Sequence, residues 1–189
     1  MSGFWNTSDG ENAVENATGE YDAGGGNFDP IPDDTNCLMV IDGAEKAKDQ
    51  SFNEYAQITW LVVKPDQFAG RKIWQKLWVF DPDPRAKDKD KKRDNALRML
   101  ANIDAICGGK LAKAGREPDS DDLALALTGK QAVCKVKVWE MDGKEGNWIA
   151  AVAPKGGKME VAANGDAPQA ARKSPPKKRE EFDNSDIPF

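Results

Sequence analysis

Residues 71–80 read Arg, Lys, Ile, Trp, Gln, Lys, Leu, Trp, Val, Phe, and their spacing carries the strongest chemical signal in the chain. In a strand, side chains alternate between two faces, which puts Ile73, Gln75, Leu77 and Val79 on one side. Lys72, Trp74, Lys76, Trp78 and Phe80 fall on the other, and Arg71, at the start of the stretch, is a further candidate cation. A face that alternates cations with flat rings makes and breaks no bonds; it binds. Rings stack on bases and ammonium groups neutralise phosphates, which is how single-stranded nucleic acid is held without regard to sequence. The flipped register would take Gln75 out of the interior, but it would bury Lys76 between two indoles with no evident partner. The outward register is the reading adopted.

Other chemistries find little support. The chain has no histidine, which removes the commonest general base, the usual Ser and Cys triads and the histidine-containing zinc sites. Cys37, Cys107 and Cys134 lie far apart in apolar stretches, without a CxxC spacing, and read as small buried hydrophobes. Gly129-Lys130 lacks both the upstream glycine and the following Ser or Thr of a phosphate loop. Asp81, Asp83, Asp88 and Asp90 are the acids a metal-dependent nuclease would call on, but they fall on a proline-broken turn and a charged helix start. No catalytic residue, metal or cofactor is expected.

The elements that must position the ladder follow from periodicity. An apolar strand over 37–41, loosening to 46, precedes a loop over 47–53. A strand over 55–63 puts Ala56, Ile58, Trp60 and Val62 on one face and Tyr55, Gln57 and Thr59 on the other. The turn over 65–70 makes this strand the hairpin neighbour of 71–80, so Tyr55 joins the face of Trp74 and Trp78. A helix over 85–107 follows, with Leu97, Leu100, Ala101, Ile103, Ile106 and Cys107 expected towards a core and Gly108-Gly109 as its stop. A loop over 110–118 leads to a short helix capped by Asp119 or Ser120, with Leu123 and Leu127 one turn apart. A strand over 132–139 repeats the cation and aromatic pattern, with Cys134, Val136 and Val138 inward and Lys135, Lys137 and Trp139 outward. Asp142-Gly143 turns it into a last strand over 147–152.

Hydrophobic residues make up 39% and charged residues 31% of the 189, too lean for a chain folded throughout, so solvated segments belong at the ends. Residues 1–36 hold eight acidic groups and no Lys or Arg, residues 37–154 hold 20 basic against 18 acidic, and the last 35 hold seven against six. This divides the chain into an acidic arm over 1–30, a domain over 31–154 whose stretch 37–154 is slightly basic, a Pro-, Ala- and Lys-rich linker over 155–179 and a tip over 180–189. Within the arm, Phe4 and Trp5 either pack on the domain or touch a partner. The tip ends in Asp183, Asp186, Ile187, Pro188 and Phe189, a linear motif offering acids, an apolar hook and a carboxylate. With neither an apolar span nor a leader pattern, a cytoplasmic protein without membrane contact is expected.

Three strands, a helix and two strands is the order of a five-stranded OB-fold barrel, mainly β with a helix between strands three and four. OB-folds bind oligonucleotides on strands two and three and with loops 1–2 and 4–5, here 47–53 and 141–146. Phe28, Asp29, Pro30, Ile31 and Pro32, then Gly70, Arg71, Lys72, Ile73 and Trp74 with the helix that follows, resemble a family of phage OB-fold single-stranded-DNA-binding proteins once catalogued as a domain of unknown function. The Asp186, Ile187, Pro188, Phe189 end resembles the C-terminal tip of bacterial single-stranded-DNA-binding proteins, though this linker is poorer in Gly and Gln and this tip less densely acidic. The resemblance implies single-stranded-DNA binding in phage replication or recombination. It also implies that the tip docks a polymerase, helicase, primase or nuclease. The alternatives are a metal-dependent nucleic-acid enzyme and a protein-binding replication adaptor.

Overall fold

The computed structural model describes residues 29–162 except position 142. Five strands form one antiparallel sheet: β1 (Thr35–Lys48), β2 (Glu54–Lys64), β3 (Lys72–Leu77), β4 (Gln131–Met141) and β5 (Lys144–Ala153). Their order across the sheet is β3-β2-β1-β4-β5. Three helices, α1 (Lys89–Cys107), α2 (Lys110–Ala114) and α3 (Ser120–Leu127), all lie between β3 and β4. The outermost strands, β3 and β5, approach within 8 Å at Cα, so the sheet curls towards itself over a common interior. Among the described residues no helix is long and apolar enough to cross a membrane.

The register of β2 and β3 is the one their alternation requires. Ala56, Ile58, Trp60 and Val62 are buried, and the first three pair with Leu77, Gln75 and Ile73 of β3. Gln75, the polar misfit of that inner face, is buried because the Trp60 indole N–H donates to its Oε1 at 2.8 Å. An indole N–H taken from water needs an acceptor, and the glutamine supplies it.

Strand β3 stops at Leu77 rather than running to Phe80. The Val79 amide turns back to the Leu77 carbonyl at 2.9 Å, and Asp81 exchanges bonds with Glu54, donating its amide to the Glu54 carbonyl and accepting the Glu54 amide on Oδ2. Helix α1 begins at Lys89, not Arg85, because Asp88 caps it by accepting from the Lys91 amide. Its buried stripe is Ala96, Leu100, Ile103, Asp104 and Cys107, while Leu97 and Ala101, expected there, are exposed. The buried Asp104 carboxylate accepts from the amides of Leu111 and Ala112, opening the short α2 in a stretch that reads as loop. Asp119 caps α3 in a reciprocal box with Asp122.

The domain is pinned at both ends. Asn147 on β5 receives the Ile31 amide and donates to the Ile31 carbonyl, both at 2.8 Å, and Ile31 is fully buried. Beyond β5 the chain returns to β1, where Asn36 bonds Glu160 and Ala162. The remainder of the acidic arm, residues 163–179 of the linker and the tip with Asp183, Asp186, Ile187, Pro188 and Phe189 lie outside the described residues.

Candidate nucleic-acid interface

Trp74 stands on the outward face of β3 with 58% of its surface exposed, between Lys72 and Lys76. Its partner on β2 is Thr59, too short to cover an indole, and Lys76 pairs with Gln57. The Lys72 ammonium meets the Asp42 carboxylate on β1 at 2.8 Å, with both side chains near half exposed, so the pair is solvated and weakly held.

Beside Trp74 runs a groove of about 790 Å³ between β3 and β5. Arg71, Lys72 and Trp74 form one bank, Trp139 and Gly146 the other, and Asp29 enters its wall. The Arg71 guanidinium donates to the Asp29 carbonyl at 2.7 Å and lies 5.1 Å over the Phe68 ring. Trp139 pairs with Gly146 across the β4–β5 hairpin, and a Cβ at Gly146 would fall 2.5 Å from the indole. The ring therefore lies flat on the glycine backbone, held in place along the groove. Four expected site residues, Arg71, Lys72, Trp74 and Trp139, are thus brought together.

The rest of the expected ladder is rearranged. Trp78 is 3% exposed, not an outward indole: past the end of β3 its ring packs against Tyr55, centroids 5.0 Å apart and tilted by 51°. Tyr55, expected on the open face, is buried by the same contact. Its phenol is pushed above its ordinary value, first by burial and then by Asp49 and Glu45. Phe80 has left the ladder; it packs against the core and is covered by the Lys46 ammonium, 4.2 Å from its ring centroid. Lys46 is in turn anchored by Glu54 and Glu117. Lys76 stays on the outer face but is half-buried, its ammonium 5.1 Å from the Tyr55 centroid. Burial lowers its pKa, and Arg85 adds repulsion.

Lys135 and Lys137 do lie on the outward face of β4, but both face the Asp34 carboxylate at 3.8 Å and line neither the groove nor the pocket beside Lys76. The structure adds a residue that the alternation could not flag. Phe52, in the loop between β1 and β2, is 80% exposed with φ of 63°. An isolated aromatic in a polar loop has no periodicity; its only sequence signal is its incongruity among Gln50, Ser51 and Asn53.

Three of the four acids named for a nuclease are engaged by the fold, and the fourth, Asp90, is exposed in the first turn of α1. Asp81 holds the Glu54 amide, Asp88 caps α1, and buried Asp83 pairs with Lys92 at 2.8 Å while accepting the Arg85 amide. The described residues contain no cluster of three metal-ligating side chains. All three cysteines are buried thiols; Cys37 faces Cys134 across β1 and β4, and burial pushes Cys37 up to about 12, so it holds no thiolate at neutral pH. No protein-family model and no curated protein matches the chain.

Proposed function

We propose that this chain binds single-stranded DNA without sequence preference, through an OB-fold barrel, and catalyses nothing. The observation that carries the reading is Trp74, an exposed indole between two lysines on an outward strand face, opening onto a groove banked by Arg71 and Trp139. Exposing an indole forgoes roughly 25 cal/mol for each Å² of apolar surface left in water, a loss a stacked base returns. The sheet order supports the barrel: joining β3 to β5 across the groove gives the OB strand arrangement, with the ligand face on β2–β3. Its place is in phage replication or recombination in the host cytoplasm, by the sequence resemblance. The tip, from Asp183 and Asp186 to Ile187, Pro188 and Phe189, recruits a polymerase, helicase, primase or nuclease.

Titration of tryptophan fluorescence with oligo-dT, oligo-rU and duplex tests the reading. Quenching by oligo-dT, with weak response to duplex, is expected; no change in emission or mobility with any single strand would end it. Magnesium-dependent cleavage of the same oligonucleotides would favour the nuclease instead. Truncation after Arg179 should leave DNA affinity intact while abolishing capture of the replication enzyme. Loss of DNA binding at every salt concentration would place the tip inside the binding site.

A further inference from the structure

We propose that residues 20–28 of this chain lie in the groove between β3 and β5 when no DNA is bound, and that a DNA strand has to displace them. The single-stranded-DNA reading enters only as what displaces the segment; the seat itself rests on where the segment joins the domain.

The arm meets the domain inside the groove. Asp29, Pro30 and Ile31 line its wall. They are held from both banks: Arg71, just before β3, donates to the Asp29 carbonyl at 2.7 Å, and Asn147 on β5 holds the amide and the carbonyl of Ile31 at 2.8 Å each. Consecutive Cα atoms stand about 3.8 Å apart, so Phe28 starts at the edge of the groove whichever way the chain turns next. Gly24, Gly25 and Gly26 precede it, and glycine accepts the backbone conformations that let a segment double back. Fully stretched, 20–28 spans no more than about 30 Å. So short a tether keeps the segment beside the groove at an effective concentration on the order of millimolar.

The groove offers a peptide something that a nucleic acid cannot use. Among the described residues β3 is hydrogen-bonded to β2 alone and β5 to β4 alone, so each turns an unpaired strand edge towards the other. The backbone donors and acceptors of such an edge are met by another extended chain. The charge of the groove is mixed, with Asp29 and Glu145 beside Arg71 and Lys72, so rings carry much of the hold. Residues 20–28 bring two rings, Tyr21 and Phe28, two acids, Glu20 and Asp22, and no cation. The rings suit Trp74 and Trp139. The acids suit Lys72, whose solvated pair with Asp42 exchanges at little cost. The segment thereby covers, in the free protein, the indole that the domain leaves 58% exposed.

The test compares the full chain with two variants. Deletion of residues 2–28 keeps Asp29 and its bond to Arg71; Tyr21→Ser with Phe28→Ser keeps the whole chain and removes only the rings. Both should move the indole N–H signals of Trp74 and Trp139 in the NMR spectrum of the DNA-free protein and leave that of Trp60 in place. Both should also tighten oligo-dT binding about 2- to 10-fold, the reciprocal of the fraction of molecules whose groove stands open. If the signals stay in place and the affinity is unchanged, the segment does not occupy the groove and the proposed function stands. Moved signals with unchanged affinity put the segment outside the path of the strand, and weaker oligo-dT binding makes it part of the DNA grip; either result overturns the proposal. A shift confined to Trp148 would seat the segment on another surface, and shifts that grow with protein concentration would assign the groove to a second copy, with the same consequence. If none of the three proteins binds oligo-dT while the signals move as expected, the proposed function fails and the seat of the segment remains.

Discussion

Trp74 and Trp78 are the same residue type four positions apart, each beside a lysine, and they end in opposite environments: one 58% exposed, the other 3%. The difference comes from what faces them. Trp74 has Thr59 across the ladder. One step beyond the last β2–β3 pair, Ala56 with Leu77, Tyr55 meets Trp78, and two large rings so placed bury each other. The strand itself ends at Leu77, where the Val79 amide turns back to the Leu77 carbonyl, before it can present its second indole. Outward direction is a property of one strand, whereas exposure depends on the size of the neighbour and on whether the strand continues.

That contrast predicts a division of labour. Trp78→Ala should cost about 3–5 kcal/mol of stability, as removal of a buried indole does, read by urea denaturation. Trp74→Ala should change stability by no more than about 0.5 kcal/mol, yet cost about 1–3 kcal/mol of single-stranded-DNA binding. A Trp78 variant that folds normally but loses DNA, or a Trp74 variant that melts, would reverse the assignment.

Much of the fold was legible because alternation and caps are local. The inner faces of β2 and β3, the Gly108 stop and the Asp119 cap all follow from neighbouring residues. What escaped depended on distance in sequence. Ala96 rather than Leu97 faces the core, because both lie one turn before Leu100 and only packing against the sheet chooses between them. Helix α2 exists because Asp104, a turn and more upstream, caps it. The site divides similarly: Arg71, Lys72 and Trp74 were readable on one strand, while the Tyr55–Trp78 pair and Phe80 beneath Lys46 needed tertiary contacts. Phe52 carried no pattern at all.

Gln75 sharpens the same contrast from the inside of the strand. It looks like a register error and is instead the acceptor for Trp60. Gln75→Ala should cost about 1–3 kcal/mol by leaving that indole N–H unpaired in the core, without altering DNA affinity per folded molecule. Full stability in this variant would mean the Trp60 N–H finds another acceptor.

The smallest effect concerns Lys76, which lies between the exposed and the buried tryptophan. Burial lowers its pKa from 10.5, Arg85 pushes the same way, and Asp49 and Asp83 oppose them. In the pH window between this lowered value and 10.5, the folded protein has lost a proton that the unfolded chain keeps, so stability should rise with pH there. DNA affinity should move in the opposite direction, because a phosphate holds the ammonium charged and binding must then take up a proton. The fall is at most about tenfold per pH unit for one linked proton. Oligo-dA is the suitable probe, since thymine itself ionises in this range. Tyr55, raised first by burial, stays neutral beyond its ordinary 10.0. Lys76→Gln should bind more weakly at neutral pH and show neither slope across the window. If the variant loses affinity with rising pH as steeply as the native protein, other cations hold the DNA and Lys76 belongs with Trp78, on the buried side of the comparison.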